Sequence, residues 1–296
     1  MQIFSGSSNP DLANKIAMLM GSRVGEIDIS RFPNGETRVW VKEKKIEREV
    51  IVVQSLSIPT NEHLIEFCLI CDALKRGGAT DIIAVMPWMG YSKQDKVFLA
   101  GEPLSAKVVA QIIQSTKLKK LITFDLHNRA ITGFFDVPVV ELSAKSSFLE
   151  YFREKISKKT IVVAPDAGSV KFSSNFARDL NLPIAYIDKR RDYLTGKVDV
   201  VGMNGAVKGH DVVIIDDMIV TGSTLIEVAK YLKDQGALTV TVAATHHLYV
   251  PGAQNNIEKS EIDTVLVTDT VQNMEESNPL KLNKLSVAKL IVDELA

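Results

Sequence analysis

Two periodicities alternate along this chain. Short apolar runs at residues 50–54, 82–86, 121–124, 161–164, 184–187, 212–215, 239–244 and 264–267 have the look of strands buried on both faces. Helical spacing fills the stretches between them. It predicts helices over 10–20, started by Asn9 or the neighbouring serines, over 59–76, closed by Gly77 and Gly78, and over 103–115 and 145–156. Further helices run through Asn181, from Leu225 toward a glycine cap at Gly236, and over 286–295. Residues 3–7 read as an opening strand and turn, and 31–38 as a turn-rich segment leading into the alternating Val39, Trp40 and Val41. Residues 87–101 form a long connection and 189–207 a polar excursion. Strands alternating with helices argue for an α/β protein with parallel sheets covered on both faces. The pattern runs through twice, so two domains of similar design are expected, over 1–145 and 146–296. Whether the last helix returns to the first domain is left open.

Composition adds exclusions. At 296 residues, 46% hydrophobic and 24% charged, the chain has room for two ordinary domains. Thirty-five basic residues stand against thirty-six acidic ones, so no general polyanion surface is implied, no nucleic-acid partner is expected, and phosphate recognition should be local. No apolar run reaches membrane-spanning length and the first residues do not begin a signal peptide, so a cytoplasmic location without membrane partners is expected. Cys68 and Cys71 are spaced C-x-x-C but fall in mid-helix with no second pair, which favours packing over redox or zinc chemistry.

Chemistry concentrates on residues 211–225. A β-branched run ends in Asp216 and Asp217; Thr221, Gly222, Ser223 and Thr224 follow and lead into a helix. Free amides and the positive end of the helix dipole converge on such a turn, and three hydroxyls add donors. A sugar phosphate fits, its phosphate on the turn and its hydroxyls on the carboxylates. Helix capping alone also favours these small residues, but it needs one acceptor, not two carboxylates.

In α/β sheets ligands bind beyond the carboxyl ends of strands. Those ends here carry Asp125 with His127, Asp166, Lys189 with Arg190 and Arg191, and the acidic pair. His127 could be a core histidine, a proton carrier or a metal ligand, and Asp166 stands at the matching place in the second half. Lys189 and Arg191 alternate along an extended segment and could act together on a phosphoryl group. The segment 91–96, YSKQDK, is either a solvated basic loop or a lid whose Lys93 and Lys96 reach polyphosphate and whose Gln94 reads a nucleobase or ribose. His246 and His247 end a strand with no carboxylate beside them and are read as structural.

Taken in order, RFPNGE (31–36), NEH (61–63), DALKR (72–76), YSKQDK (91–96), GEP (101–103), DLH (125–127), GFF (133–135), PDAG (165–168), DKRR (188–191) and DDMIVTGST (216–224) resemble the motifs of ribose-phosphate pyrophosphokinases, the PRPP synthases. The resemblance covers essentially the whole chain. Phosphoribosyltransferases share only the 216–224 element. The resemblance implies two tandem phosphoribosyltransferase-like domains, each a mainly parallel sheet flanked by helices. It implies synthesis of 5-phosphoribosyl 1-diphosphate from ATP and ribose 5-phosphate with Mg2+, releasing AMP. Phe32, Asn34 and Glu36 would hold adenine from a neighbouring subunit, and Lys93, Gln94, Asp95 and His127 would contact ATP. His127 and Asp166 would coordinate metal, Lys189 and Arg191 would stabilise the transition state, and Asp216, Asp217, Thr221, Gly222, Ser223 and Thr224 would bind ribose 5-phosphate. A homo-oligomer is implied, with a dimer as the minimal active unit and a tetramer or hexamer above it.

Departures from the family pattern point to a divergent branch. Lys93 stands where an Arg is usual, the loop VFLAG (97–101) is poor in basic residues, Val220 replaces a frequent Asp and Phe172 a common Arg. Muted phosphate activation and ADP inhibition are the expectation. Two other readings compete. A catalytically silent, regulatory subunit would be expected to lose some of Lys189, Arg191, His127 and Asp166, all of which are kept; a phosphoribosyltransferase would leave the first half unexplained.

Overall fold

The structure is a computed structural model describing residues 1–191, 198–273 and 279–296; of residues 190, 191, 198 and 199 it describes the backbone alone. The chain divides into two compact units, Met1–Ser143 with Asp269–Gln272 and Ser286–Ala296, and Ala144–Thr268 with Asn273–Leu285.

The first unit contains β1 (Gln2–Ser5), α1 (Pro10–Leu19), β2 (Ile27–Arg31), β3 (Thr37–Val41), β4 (Glu49–Val53), α2 (Thr60–Arg76), β5 (Asp81–Val85), α3 (Ser105–Ser115), β6 (Lys120–Phe124) and β7 (Val139–Leu142). Five of its strands make a sheet of order β1-β4-β5-β6-β7, parallel throughout. Val50, Val52, Ile82, Ala84 and Leu121 are fully buried in it, as the unbroken apolar runs require of a sheet covered on both faces. Helix α1 starts where the Asn9 side chain accepts the Leu12 amide at 3.3 Å, with Pro10 in its first turn. Helix α2 buries Leu64, Phe67, Ile70, Cys71 and Leu74 in the same core. Burial pushes the Cys71 thiol far up, which leaves it an inert packing group.

The sequence pattern predicts a turn over 31–38 with no strand before it. Instead β2 and β3 form an antiparallel hairpin with Ile27 opposite Val41 and Arg31 opposite Thr37. Ile27, Ile29, Val39 and Val41 face the core, while Trp40 is exposed beneath Lys42, whose Nζ lies 5.3 Å from its ring centroid.

The second unit contains α4 (Lys145–Arg153), β8 (Thr160–Ala164), α5 (Val170–Asp179), β9 (Ile184–Arg191), β10 (Val198–Asn204), β11 (Asp211–Ile219), α6 (Ser223–Asp234), β12 (Thr239–His247), α7 (Ala253–Glu258), β13 (Thr264–Thr268) and β14 (Leu282–Leu285). Its seven-stranded sheet runs β10-β9-β8-β11-β12-β13-β14, with β10 alone antiparallel to its neighbour. The polar excursion expected over 189–207 is therefore a correction: β9 runs on to Arg191, and β10 returns along its outer edge with a bulge between Val200 and Gly202. An edge strand need not be apolar on both faces, so the polar residues hid it. His246 and His247 are fully buried.

Helix α8 (Ala288–Leu295) belongs to the first unit and packs on α1. Its approach is fixed by Asp269, whose carboxylate accepts the Val287 amide at 2.8 Å and meets Lys15 Nζ at 2.7 Å.

Candidate functional site

In the second unit, parallel strands put the ends of β9, β8 and β11 on one edge, and the predicted polar residues gather there. Strand β8 pairs only to Ala164, opposite Tyr186 of β9, so β9 overshoots it and carries Lys189 out to Asp166. Lys189 Nζ meets Asp166 Oδ2 at 2.8 Å, with both side chains half-buried. The Asp166 turn is shaped by Ser169, whose amide donates to Asp166 Oδ1 at 2.9 Å and whose hydroxyl donates to the Asp166 carbonyl at 2.9 Å. Burial works to raise the Asp166 carboxyl, but Lys189 and the Ser169 amide outweigh it and hold the group below the usual carboxylate range.

Asp216 and Asp217 lie in β11 just before its end, Asp216 opposite Ala244 of β12. The Asp217 amide donates to Asp216 Oδ1 at 2.9 Å. Burial, then the Asp217 charge, push the Asp216 carboxyl up to about 7, and Asp166 adds to the same crowding. The turn that follows depends on Gly222, whose φ of +75° is costly for any residue with a Cβ. Thr221 Oγ1 and Ser223 Oγ are 2.9 Å apart at the start of α6, both exposed, and the Gly222 carbonyl accepts the Ile226 amide at 2.9 Å. A helix N-terminus fringed with hydroxyls beside two carboxylates can take an anion and a polyol together. The Arg191 side chain lies outside the described residues.

In the first unit the predicted nucleotide residues sit on three segments. Phe32, Asn34 and Glu36 are in the β2–β3 turn, closed by the Phe32 amide to the Glu36 carbonyl at 2.9 Å and the Gly35 amide to the Phe32 carbonyl at 2.8 Å. Phe32 is 48% exposed, which removes a core role. Arg31 forms an ion pair with Glu62 of α2 and steadies the hairpin.

Residues 91–101 leave β5 as the second segment. Tyr91, at φ +67°, donates its hydroxyl to Asn61 Oδ1 at 2.5 Å. Lys93 and Lys96 are exposed. Gln94 is engaged locally at the start of α3, where its side-chain oxygen accepts the Ser105 hydroxyl at 2.7 Å and its carbonyl the Ala106 amide at 3.1 Å. Glu102 accepts the Phe98 and Leu99 amides at 2.9 and 3.0 Å, folding VFLAG into a turn with Phe98 and Leu99 outward.

The third segment follows β6. Asp125 has φ +31°, its amide donating to the Leu142 carbonyl at 3.0 Å. His127 is exposed, not a core histidine. Glu141 of β7 accepts the Leu126 amide at 3.0 Å; burial, with Asp125 adding to it, raises its carboxyl above the usual range. Asn128 donates to Asp95 Oδ2 at 2.7 Å. Sequence reasoning missed Glu141, Asn128 and Ser169. A single acid within the apolar run of β7 was the available signal for Glu141.

Among the described residues no three His, Cys, Asp or Glu side chains form a metal cage. The donors at the β8 and β11 ends nonetheless suit a hard divalent cation, being carboxylate oxygens, with Asp216 raised by burial first and by the Asp217 and Asp166 charges after it. No helix of the described residues is long and apolar enough to cross a membrane.

Comparison with known proteins bears on the whole chain. Residues 1–116 match the family described as the N-terminal domain of ribose phosphate pyrophosphokinase, and residues 136–283 match the phosphoribosyl transferase domain. Ribose-phosphate pyrophosphokinase of Wolinella succinogenes is 36% identical over 292 residues, covering 99% of this chain and 94% of the relative. That of Coxiella burnetii is 39% identical over 300 residues, covering 100% and 94%. The crystal structure of phosphoribosylpyrophosphate synthetase from Mycobacterium smegmatis superposes with a TM-score of 0.91 at 33% identity, over 99% of this chain and 97% of the other.

Proposed function

Because this chain belongs to the ribose-phosphate pyrophosphokinase family and is accordingly an enzyme of 5-phosphoribosyl 1-diphosphate synthesis, we propose how its residues divide that work. The β,γ-diphosphoryl group of ATP passes to the 1-hydroxyl of ribose 5-phosphate, and AMP leaves. The observation that carries the assignment is the acidic pair of β11 opening directly on the Thr221 to Thr224 turn at the start of α6. Amides and hydroxyls of the turn bind the 5-phosphate, and Asp216 and Asp217 hold the ribose hydroxyls and so aim the anomeric oxygen.

Phosphoryl transfer gives a protein little covalent work, so placement and charge neutralisation carry the rate. Lys189 and Arg191 meet the charge that grows on the transferring group. Phe32, Asn34 and Glu36 take adenine, and Lys93, Gln94, Asp95 and His127 address the rest of ATP. Mg2+, when bound, would neutralise charge on the polyphosphate; Asp166 and His127 are each proposed as a metal donor, directly or through water. The first unit thus has the nucleotide residues and the second the sugar-phosphate residues, the two working as domains of one enzyme. The working form is a homo-oligomer with a dimer as its minimal unit, in the cytoplasm.

The test is direct. Purified protein given ATP, ribose 5-phosphate and Mg2+ should yield AMP and 5-phosphoribosyl 1-diphosphate in equal amounts. A chain that made no AMP but released diphosphate from 5-phosphoribosyl 1-diphosphate and a nucleobase would be a phosphoribosyltransferase, and one that did neither a silent subunit.

A further inference from the structure

We propose that Asn128 is a positioning residue that clasps the 91–101 loop to the His127 segment through Asp95. The inference rests on the reading above, in which both segments serve ATP, and adds how they are kept together.

The first half of the loop is held by three side-chain anchors: Tyr91 to Asn61, Gln94 to Ser105, and Asp95 to Asn128. The first ties it to α2 and the second to α3; only the third reaches the end of β6. Asn128 follows His127 directly and uses both ends of its amide. Its Nδ2 donates to Asp95 Oδ2 at 2.7 Å, and its Oδ1 accepts the Ala130 amide at 3.0 Å, capping the short 3-10 helix Arg129–Phe134. The two partners demand opposite ends of the amide: a carboxylate needs a donor and a backbone N–H needs an acceptor. Asparagine meets both demands, whereas aspartate, though a good cap, would face Asp95 with like charge.

The segment being held has reason to need holding. Asp125 sits at φ +31°, where a residue with a Cβ is strained, and its amide bond to Leu142 and the Leu126 bond to Glu141 hold the backbone at residues 125 and 126. Beyond them comes exposed His127, then Asn128. On the far side of the clasp lie exposed Lys93 and Lys96. A charge-assisted bond at this point sets the distance from the loop lysines to the histidine before ATP arrives, which lowers the ordering cost of binding.

The predicted signature is specific to ATP. Asn128→Asp should raise KM for ATP about tenfold, the loss expected of one charge-assisted hydrogen bond, while KM for ribose 5-phosphate stays within about twofold. Trypsin should cut after Lys93 and Lys96 about tenfold faster, because the loop opens more often. Asn128→Ser, whose shorter side chain can still cap Ala130 but lacks the amide that reaches Asp95, should do the same without new charge. Exchanging the pair, Asn128→Asp with Asp95→Asn, restores a donor and an acceptor across the gap and should recover much of the lost resistance to cleavage, the readout that does not depend on Asp95 also addressing ATP. The proposal is overturned if Asn128→Asp leaves KM for ATP and cleavage unchanged, or if the effects of the two single substitutions on cleavage simply add in the double variant. A wild-type protein making no AMP would defeat the functional reading instead. The trypsin comparison would then still decide the clasp, with unchanged cleavage in Asn128→Asp overturning it.

Discussion

Lys189 Nζ lies 2.8 Å from Asp166 Oδ2, so the cation proposed for the transferring phosphoryl group rests on the carboxylate proposed for the metal. An ammonium has three N–H donors, so Lys189 can keep Asp166 and still present donors to a phosphoryl group.

Lys189→Ala should therefore lower kcat by about 10²- to 10³-fold while both KM values move less than about threefold, as for a group acting mainly in the transition state. A near-normal kcat with a large rise in KM would assign Lys189 to ground-state binding. The variant should also lose the stabilising effect of a depressed Asp166. That contribution is present above the ordinary carboxylate pKa and is lost as pH falls through the lower folded value. The Tm gap between wild type and variant should thus close as the solution is taken below pH ~4.

Asp216 should show the opposite sign. Its folded pKa is pushed up to about 7, so the unfolded chain gives up this proton first and stability falls as pH rises between the ordinary value and 7. Asp216→Asn keeps an acceptor for the Asp217 amide and removes the charge. Its Tm should exceed that of wild type by about 2–5 °C at pH 8, with the gap vanishing near pH 4. A constant gap across that range would show that Asp216 ionises normally.

Gly222 gives the sugar-phosphate turn its shape. An alanine there meets φ +75° and puts a Cβ 3.1 Å from Ile257 Cδ1. Gly222→Ala should cost about 1–2 kcal/mol of stability and raise KM for ribose 5-phosphate more than KM for ATP. Thermal denaturation and steady-state kinetics on one preparation would check both.

Phe32 tests assembly. Phe32→Ala and Lys189→Ala chains, co-expressed, should together exceed either alone at limiting ATP, since random pairing leaves roughly a quarter of sites with both halves intact. If exchange of subunits is verified and activity is only the average of the parents, each site is built from one chain.

The acidic pair and its turn were legible because strand, turn and helix each carry a local signature: β-branched residues, a run of small residues around a glycine, and helical apolar spacing. Phe32 lies in a turn-rich segment with no apolar period, which fits its exposure. Strands β2, β7, β10 and β14 escaped, being partly exposed edge or hairpin strands whose pattern is mixed, and α7 is too short to show a period. Glu141 and Asn128 escaped for a different reason. Their partners, Leu126 and Asp95, lie 15 and 33 residues away, and a hydrogen bond across such a gap leaves no mark in local spacing.

Helix α8 completes the first unit, yet residues 286–296 emerge from the ribosome long after residues 1–143. At roughly 5–20 residues per second, a nascent first unit waits on the order of 10–30 s with the α1 face that α8 covers still bare. The second unit has no such wait for most of its parts. Synthesis therefore favours an order in which the intervening domain folds while the earlier one is still incomplete, and the amino-terminal half is the one exposed to chaperones and to premature association.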